Sequence, residues 1–346
     1  MKYHKPYFFD DFHCIGSSCS DTCCAGWEIE VDETTAQGYL REKGDFGKRL
    51  REELGEEEGE YFFKLKNNRC PFLNRENLCD IFINIGEDRL CDICREHPRF
   101  YNWFGDYTEV GIGMCCEEAQ RLLFLDSRPL SFIEESTDED TASDIDMDEE
   151  AECEQMLEER DAVFSILQNR KETFSKRIKS LLGFIMADEK KKDIKQSAIF
   201  LIKLFENMEA LDQTWPFMMK GLEEDIEGIL EGEKAFAGYI KDRSYEYEHM
   251  AVYMVYRYYP ESLFDGLAWV KLLFAIAGVM LLYLLDIMSY QKKKEYTIED
   301  RLILSRRFSK EIEYCPENME KFEKCCIKEG ASLIQSLKAI ADCISI

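Results

Sequence analysis

Hydrophobic residues recur with helical spacing through the second half of the chain. From about residue 155 onward, apolar side chains return every three or four positions, the period of an amphipathic helix. The pattern is clearest over 163–182, 199–208, 217–230 and 245–259. Thr297 and Asp300 precede another apolar run and predict a capping-box-like helix start. We expect six to eight helices and no sheet in this part.

One apolar run is long enough to be tested as a membrane span. Residues 272–285 are 14 uncharged positions between Lys271 and Asp286. As a helix they would extend about 21 Å, whereas a bilayer core is about 30 Å thick. We therefore interpret the run as a buried core helix and expect no membrane partner.

The first part of the chain has a different pattern, with short apolar runs separated by turn residues. Apolar and acidic residues alternate over 27–32, which predicts a short strand, and 34–54 is typical of a helix. Asn-rich turns separate three further runs and predict a small β-meander over 61–66, 69–73 and 78–82. A second hairpin is predicted from 100–104 and 107–114, turning at Gly105 and Asp106. The expected fold is mainly α: a cysteine-rich N-terminal domain with small β-hairpins, followed by an all-helical C-terminal domain.

Composition and charge set the expected domain boundaries. The 346 residues carry a net charge of −26, and residues 126–160 alone contribute 2 basic and 15 acidic side chains. Such a segment buries too little apolar area to offset the entropy of ordering. We expect a cysteine-rich domain over 1–125, an acidic linker over 126–155 and a helical domain over 156–346. A chain this acidic is repelled by phosphate backbones, so nucleic acid is not an expected partner.

The chain holds 15 cysteines, and ten of them lie between positions 14 and 116. The first residues lack the apolar core of a signal peptide, so we expect a cytoplasmic protein. In a reducing compartment, dense cysteines indicate metal binding more often than disulfides. Adjacent pairs such as Cys23–Cys24 are also awkward for ordinary disulfides.

The spacing of these cysteines predicts a metal centre. Four lie in the polar loop 14–24, and Cys91 and Cys94 form a CxxC motif, which suits zinc and iron–sulfur sites alike. The wide x4 and x3 spacing in the loop favours a cluster over a zinc knuckle. The predicted metal ligands are Cys14, Cys19, Cys23, Cys24, Cys70, Cys79, Cys91, Cys94 and Cys116. Four of them would complete one cluster, and the excess leaves a second site or structural thiols open.

Other candidates have simpler interpretations. His13 and His97 adjoin cysteine motifs, but surface or capped imidazoles are the commoner case. Trp27, Tyr101 and Trp103 could line a substrate channel, although core packing is the more frequent role of such residues. The remaining cysteines are interpreted as packing or surface thiols, and the tyrosines at 253, 256, 258 and 259 with Trp269 as core.

Several motifs, taken in order, resemble one family. The run from Phe12 to Trp27, with its Cys-Cys-Ala-Gly-Trp end, is similar to the start of the flagellin lysine-N-methylases. Later matches are Cys70-Pro-Phe-Leu, Leu78-Cys79, Cys94-Arg-Glu-His-Pro-Arg and Cys116-Glu-Glu-Ala-Gln-Arg-Leu. The first part also resembles the wider group of zinc- or iron-chelating CxxCxxCC domains. Likeness is close over about 7–125, and in the helical remainder 309–316 with Glu317 and Asn318 is the most similar stretch.

The resemblance implies a function. It implies S-adenosylmethionine-dependent methylation of lysine ε-amines on flagellin, with a [4Fe-4S] cluster in the cysteine-rich domain. Among the predicted ligands, we rank Cys19, Cys23, Cys24 and Cys94 first. The spacing departs from the family's x2 and x2 and from the CxxxCxxC of radical S-adenosylmethionine enzymes, so a radical mechanism is not assumed. Cys115 precedes Cys116 where the family has a single cysteine, which leaves open which of the two is a ligand.

Two other classes of protein are also compatible with the sequence. A non-catalytic zinc- or iron–sulfur-binding module with a helical protein-interaction domain would use the same cysteines. A redox sensor would instead act through the Cys23–Cys24 or Cys115–Cys116 pair. The sequence does not single out a catalytic base.

Overall fold

The computed structural model describes residues 2–104, 107–136, 147–186 and 191–346. Contacts divide the chain into two units. The smaller unit comprises Asp11–Phe100 and Ile112–Ala119, and the larger comprises Met1–Asp10, Tyr101–Gly111 and Gln120–Ile346. The division differs from the expected boundaries at 125 and 155, because the N-terminal strand pairs with strands far along the chain. Ten cysteines, from Cys14 to Cys116, fall in the smaller unit.

A three-stranded sheet and four short helices build the smaller unit. The strands are β2 (Glu30–Val31), β3 (Leu54–Glu57) and β4 (Glu60–Phe63), ordered β2-β4-β3 with antiparallel neighbours. The helices are α1 (Glu33–Arg41), α2 (Gly44–Glu53), α3 (Asp80–Ile85) and α4 (Asp92–Glu96). Asp32 begins α1 by accepting the Thr35 amide hydrogen at 2.8 Å, an N-cap that satisfies one of the free amides.

Two expectations for this unit are wrong, the single helix over 34–54 and the β-meander. The helix expected over 34–54 is two helices, since the chain is extended at Glu42 and Lys43. The acidic residues that follow form the β3–β4 hairpin. The run 78–82 was expected as a strand, but Cys79 begins α3, and 69–73 makes only isolated bridges. Short apolar runs do not distinguish strand from helix by periodicity.

A mixed sheet belongs to the larger unit. Its strands are β1 (Lys2–Pro6), β5 (Arg99–Phe104), β6 (Tyr107–Ile112) and β7 (Phe132–Ser136), in the order β5-β6-β1-β7. β1 pairs parallel with β6 and antiparallel with β7. The β5 and β6 segments confirm the predicted strand pair, while its turn at Gly105 and Asp106 lies outside the described residues. Strand β7 lies inside the expected acidic linker. Residues 137–146 of that linker lie outside the described residues.

The rest of the larger unit is helical, which confirms the mainly-α prediction. Its described residues form α5 (Glu117–Leu125), α6 (Met147–Leu167), α7 (Phe174–Ile185), α8 (Ile194–Glu206), α9 (Thr214–Glu224), α10 (Ile226–Ile240), α11 (Tyr245–Tyr258), α12 (Ser262–Asp265), α13 (Ala268–Lys293), α14 (Ile298–Phe308) and α15 (Pro316–Cys343). Ten of these follow residue 146, more than the six to eight expected, because short turns divide the longer periodic runs.

Helix α13 is the core of the helical part. Within the described chain it is the one helix with the length and composition to cross a membrane, and 94% of its most apolar window is buried inside the protein. Residues 270–288 are buried on every side of the helix. Burial within the unit's own helices agrees with the core-helix interpretation.

Candidate metal centre

The first cysteine loop is fixed by backbone hydrogen bonds rather than by packing. A short 3-10 turn spans Gly16–Ser18, where Gly16 has a φ of +53° that favours glycine. At the other end of the loop, the Cys70 amide donates to the Cys24 carbonyl at 2.9 Å. The Trp27 indole donates to the Cys23 carbonyl at 2.8 Å. The loop therefore places Cys24 beside the segment that carries Cys70.

Five cysteines line one small cavity of about 20 Å³ in the smaller unit. We call them the inner thiol group: Cys24, Cys70, Cys79, Cys91 and Cys94. The other lining residues are apolar or aromatic, among them Ile29, Tyr39 and Phe63. A site with thiols and no carboxylate or imidazole in its lining favours soft metals such as zinc or the iron of a cluster.

Local backbone geometry aims amide groups at these thiols. Cys79 and Cys91 stand immediately before α3 and α4. Amide hydrogens of Ile81 and Phe82 bond the Cys79 sulfur, and burial nevertheless raises the pKa of Cys79. Burial likewise raises the pKa of Cys70 to about 12, against amide bonds from Phe72 and Leu73. Amide donors of this kind stabilise thiolates once a metal has displaced the protons.

Two pairs of thiols share a hydrogen bond. In the CxxC motif, the bond to Cys94 lowers the pKa of Cys91, and the pKa of Cys94 is raised in return. The bond from Cys23 lowers the pKa of Cys24 to about 7, helped by the Thr22 hydroxyl and the Arg69 charge. Burial and this shared bond raise the pKa of Cys23.

The remaining predicted ligands form a second set, the outer thiol group: Cys14, Cys19, Cys23 and Cys116. Cys23 interacts electrostatically with Cys14 and Cys116, and Cys116 interacts with Cys19 and Cys14. The Ser20 amide and hydroxyl both donate to Glu117 Oε2, the amide at 3.0 Å, and this ties the loop to the start of α5. Because Cys23 and Cys24 are adjacent, each thiol group receives one of the two.

The structure thus divides the nine predicted ligands between two groups. Of the four cysteines ranked first as cluster ligands, Cys24 and Cys94 are in the inner group and Cys19 and Cys23 in the outer group. Cys116 joins the outer group, whereas buried Cys115 lies 4.0 Å from His97 Nε2. Among the described residues, no three cysteine, histidine or carboxylate side chains converge tightly enough to form a ready-made ion site.

The donors still fit a thiolate-bound metal in kind and number. A [4Fe-4S] cluster takes up to four thiolates, and the inner group alone offers five around one cavity. The thiols would have to converge on binding, as is usual when metal binding and local folding are coupled.

The aromatic residues, the histidines and the remaining cysteines singled out in the sequence differ in their burial. Trp27 packs against the apolar core of the smaller unit. Tyr101 and Trp103 stack at 5.5 Å on β5, and Trp103 is 64% exposed, so core packing is wrong for that residue. His13 is exposed and faces the Asp11 carbonyl. Cys326 is buried and Cys153, Cys315, Cys325 and Cys343 are partly buried, in agreement with packing or surface thiols.

One buried carboxylate in the larger unit could not be recognised from the sequence. Glu313 is 7% exposed and neither of its carboxylate oxygens has a hydrogen-bond partner. Nothing in the periodicity of its segment distinguishes it from a surface glutamate of a helix.

Comparisons with known proteins show that parts of this mainly-α protein are similar to lysine N-methylases. The family model of the FliB lysine N-methylase C-terminal domain matches residues 188–340. Flagellar biosynthetic protein FliU of Salmonella muenchen is 28% identical over 121 residues, which cover 33% of this chain and 72% of that protein. Lysine-N-methylases of Salmonella choleraesuis and Salmonella typhimurium are each 25% identical over 139 residues, or 38% of this chain.

These matches support the resemblance to the flagellin lysine-N-methylase family that the ordered motifs predicted. The match spans only 35% of the length of the two Salmonella lysine-N-methylases. No solved structure matches the chain at a significant level.

Proposed function

We propose that this protein methylates lysine ε-amines of flagellin with S-adenosylmethionine as the methyl donor, and that it holds a [4Fe-4S] cluster in its cysteine-rich unit. The observation that carries the proposal is the match of residues 188–340 to the lysine N-methylase domain. The names of the related flagellar and lysine-N-methylase proteins support the substrate. The inner thiol group supports the cluster.

Methyl transfer sets clear chemical requirements. The lysine amine must be neutral to act as a nucleophile, although its free pKa is about 10.4. Removal from water lowers that pKa, and a base takes the proton. The amine nitrogen then attacks the methyl carbon, the carbon–sulfur bond breaks, and S-adenosylhomocysteine leaves with the bonding electrons. The methylated ammonium releases one further proton as it returns to neutrality.

The inner thiol group is the set of residues that would hold the cluster. When bound, the cluster would supply an iron able to bind a carboxylate or other oxygen ligand. Tyr39, Phe63 and Ile81 would exclude water from the thiols, since all three are nearly fully buried beside them. Amide donors at Cys70 and Cys79 would offset part of the negative charge of the bound thiolates.

Surface charge and compartment are consistent with this function. A chain with a net charge of −26 attracts lysine-bearing protein segments over distances of about a Debye length. We place the reaction in the cytoplasm, because free thiols persist where the compartment is reducing.

Purification without oxygen tests the cluster, and incubation with labelled S-adenosylmethionine and flagellin tests the activity. We expect iron and sulfide in equal amounts and label on flagellin lysines. Cys24→Ser should lose iron and transfer together. Cys325→Ser, in α15 of the other unit, is the matched control and should retain both.

Two results would contradict the proposal. One zinc per chain with no sulfide would replace the cluster by a zinc site. A cluster-replete protein that transfers no methyl group would favour the non-catalytic binding module.

A further inference from the structure

A turn of π-helix follows α14 directly and places unusual polar groups in the interior of the helical part. It spans Ser309–Glu313, and every one of its five residues is buried. The Tyr314 amide donates to the Ser309 carbonyl at 3.2 Å, which closes the wide turn. Single turns of π-helix are rare and frequently lie at functional sites.

Glu313 is the residue of this turn that lacks a structural explanation. Its side chain is more than nine-tenths buried, yet neither oxygen accepts a hydrogen bond of standard geometry. The hydroxyls of Ser309 and Tyr258 lie beside it and help to hold its pKa down, but neither completes such a bond. A buried polar group left unpaired destabilises the fold by about 1–3 kcal/mol, and a charged one by more.

Two other buried carboxylates of the larger unit, Asp286 and Glu248, have hydrogen-bond donors on both oxygens. Asp286 accepts from Tyr247 at 2.6 Å, Tyr296 at 2.5 Å and Arg301 at 2.6 Å. Glu248 accepts from Arg170 and Arg177. The larger unit can therefore supply hydrogen-bond donors to a buried carboxylate. The lack of such donors at Glu313 is a local feature of the π-helical turn.

The surroundings of Glu313 are suited to positive charge. The Arg257 guanidinium lies 5.1 Å from the centre of the Tyr258 ring and 4.7 Å from that of Tyr314, and it donates to the Tyr253 hydroxyl at 2.8 Å. Aromatic faces of this kind attract cations. Burial raises the pKa of Glu313, and the Arg257 charge opposes the rise. Arg257 and Tyr314 are partly exposed, so access from the surface lies on their side.

We propose that Glu313, with the hydroxyls of Ser309 and Tyr258, binds a primary ammonium group of a reactant in methyl transfer. An ammonium has three N–H donors and no acceptor, which matches two vacant carboxylate oxygens and two vacant hydroxyls. The proposal rests on the proposed function, which offers two such groups: the ε-ammonium of the lysine substrate and the α-ammonium of S-adenosylmethionine.

The test is calorimetric titration of the full chain with each ammonium source separately. The probes are S-adenosylmethionine and Nα-acetyl-lysine amide, with 5′-methylthioadenosine as a donor fragment that lacks the amino group. Glu313→Gln should weaken one of the two ammonium probes at least tenfold, as expected for loss of a charged hydrogen bond, and should leave 5′-methylthioadenosine unchanged. The weakened probe identifies the source. Tyr258→Phe should weaken the same probe by a smaller factor.

Glu311→Gln is the matched control. Glu311 is buried in the same turn, but its Oε2 accepts the Leu211 amide at 2.7 Å and its Oε1 lies 2.9 Å from Arg307 Nε. Its substitution removes the same charge and should lower the melting temperature without altering affinity for either probe. Glu313→Gln should instead change the melting temperature less than Glu311→Gln does, because no hydrogen bond of standard geometry to Glu313 is lost.

The outcomes separate this inference from the proposed function. If the wild-type protein methylates flagellin while Glu313→Gln binds both ammonium probes normally, the ammonium site is wrong and the proposed function stands. If the wild-type protein binds an ammonium probe through Glu313 but transfers no methyl group, the site stands and the proposed function fails. Binding of neither probe by the wild-type protein would overturn the ammonium site.

Discussion

At the scale of single residues, the buried pair Glu109–Arg160 shows how the larger unit holds charge in its interior. Glu109 lies on β6, is fully buried, and receives two hydrogen bonds of 2.6 Å from the Arg160 guanidinium. The Tyr107 hydroxyl donates to the same carboxylate at 2.9 Å. Burial alone would lower the pKa of Arg160, but the Glu109 charge outweighs it and raises the pKa. The Arg160 guanidinium therefore remains ionised, with its hydrogen bonds replacing much of the lost hydration.

Removing one partner of this pair should be far more damaging than removing an exposed one. Arg160→Met should lower the free energy of unfolding by about 3–5 kcal/mol, because it leaves Glu109 charged and unpaired. Arg128→Met breaks the exposed Arg128–Asp126 pair and should cost less than about 1 kcal/mol. Urea unfolding followed by circular dichroism measures both. Equal losses for the two variants would contradict the interpretation.

Side chains of this kind mark the limit of the sequence analysis. The cysteines stand out as candidate ligands because clustered thiols on a polar loop are rare and chemically distinctive. Glu109 and Glu313 do not stand out, since a glutamate in a strand or helix is ordinarily at the surface and only the three-dimensional packing shows it buried. The division of the nine predicted ligands into two thiol groups was equally hidden, because Cys23 and Cys24 are neighbours in sequence yet join different groups.

At the scale of elements, α13 depends on a close approach at one glycine. A Cβ atom added to Gly278 would lie 2.8 Å from Phe308 Cζ and 3.3 Å from Met254 Sδ. Gly278→Ala should therefore destabilise the protein by about 1–3 kcal/mol through overpacking. Gly238→Ala in α10 is the control: a Cβ there meets nothing within 4 Å, and alanine should stabilise the helix by about 0.5–1 kcal/mol. Melting temperatures that move in the same direction would refute this account.

The start of α14 supplies a prediction with a pH dependence. The Thr297 hydroxyl accepts the Asp300 amide hydrogen while Asp300 Oδ2 accepts the Thr297 amide hydrogen at 2.8 Å, which confirms the predicted capping box. Burial alone would raise the pKa of Asp300, but bonds from Lys293 and Thr297 outweigh it and hold the pKa below its usual value. The stabilisation is therefore complete above the unfolded pKa of about 3.9 and is lost as the pH falls below it.

Two variants of the capping box separate the hydrogen bond from the charge. Thr297→Ala should lower the free energy of unfolding by about 1 kcal/mol at pH 7. Asp300→Asn should also be destabilising at pH 7, and its difference from the wild type should shrink below pH 4 as the wild-type carboxylate is protonated. Chemical denaturation at pH 7, 5 and 3.5 checks both. A difference that grows on acidification would show that Asp300 acts in some other way.

Element prediction succeeded where a local signal existed. The capping box, the long apolar run of α13 and the β5 and β6 strands each carry their own pattern. β1 and β7 were missed, because their pairing depends on residues about 105 to 135 positions away and no local pattern encodes it. The run at 78–82 was misassigned because its helix is only six residues long and too short to show a helical period.

At the scale of the whole molecule, the two units derive their stability from different sources. In the larger unit, α13 is buried by other helices of the same unit, and its hydrophobic contacts require no ligand. The smaller unit has a modest core around Tyr39, Leu50, Phe63 and Phe72, with the inner thiol group inside it. A domain with so small an apolar core commonly depends on a metal for part of its stability.

Metal removal should therefore act on one unit selectively. In protein treated with an iron chelator and a reductant, amides of 11–100 and 112–119 should exchange with deuterium faster than in the metal-loaded protein. Amides in the centre of α13 should keep their protection, because the apolar burial of that helix is unaffected by the thiols. Hydrogen exchange read by mass spectrometry resolves the two units within one sample. Unchanged protection around Cys70, Cys79 and Cys91 after complete loss of iron would mean that the inner thiol group is structural without metal, and the cluster would then have to be sought at the outer thiol group.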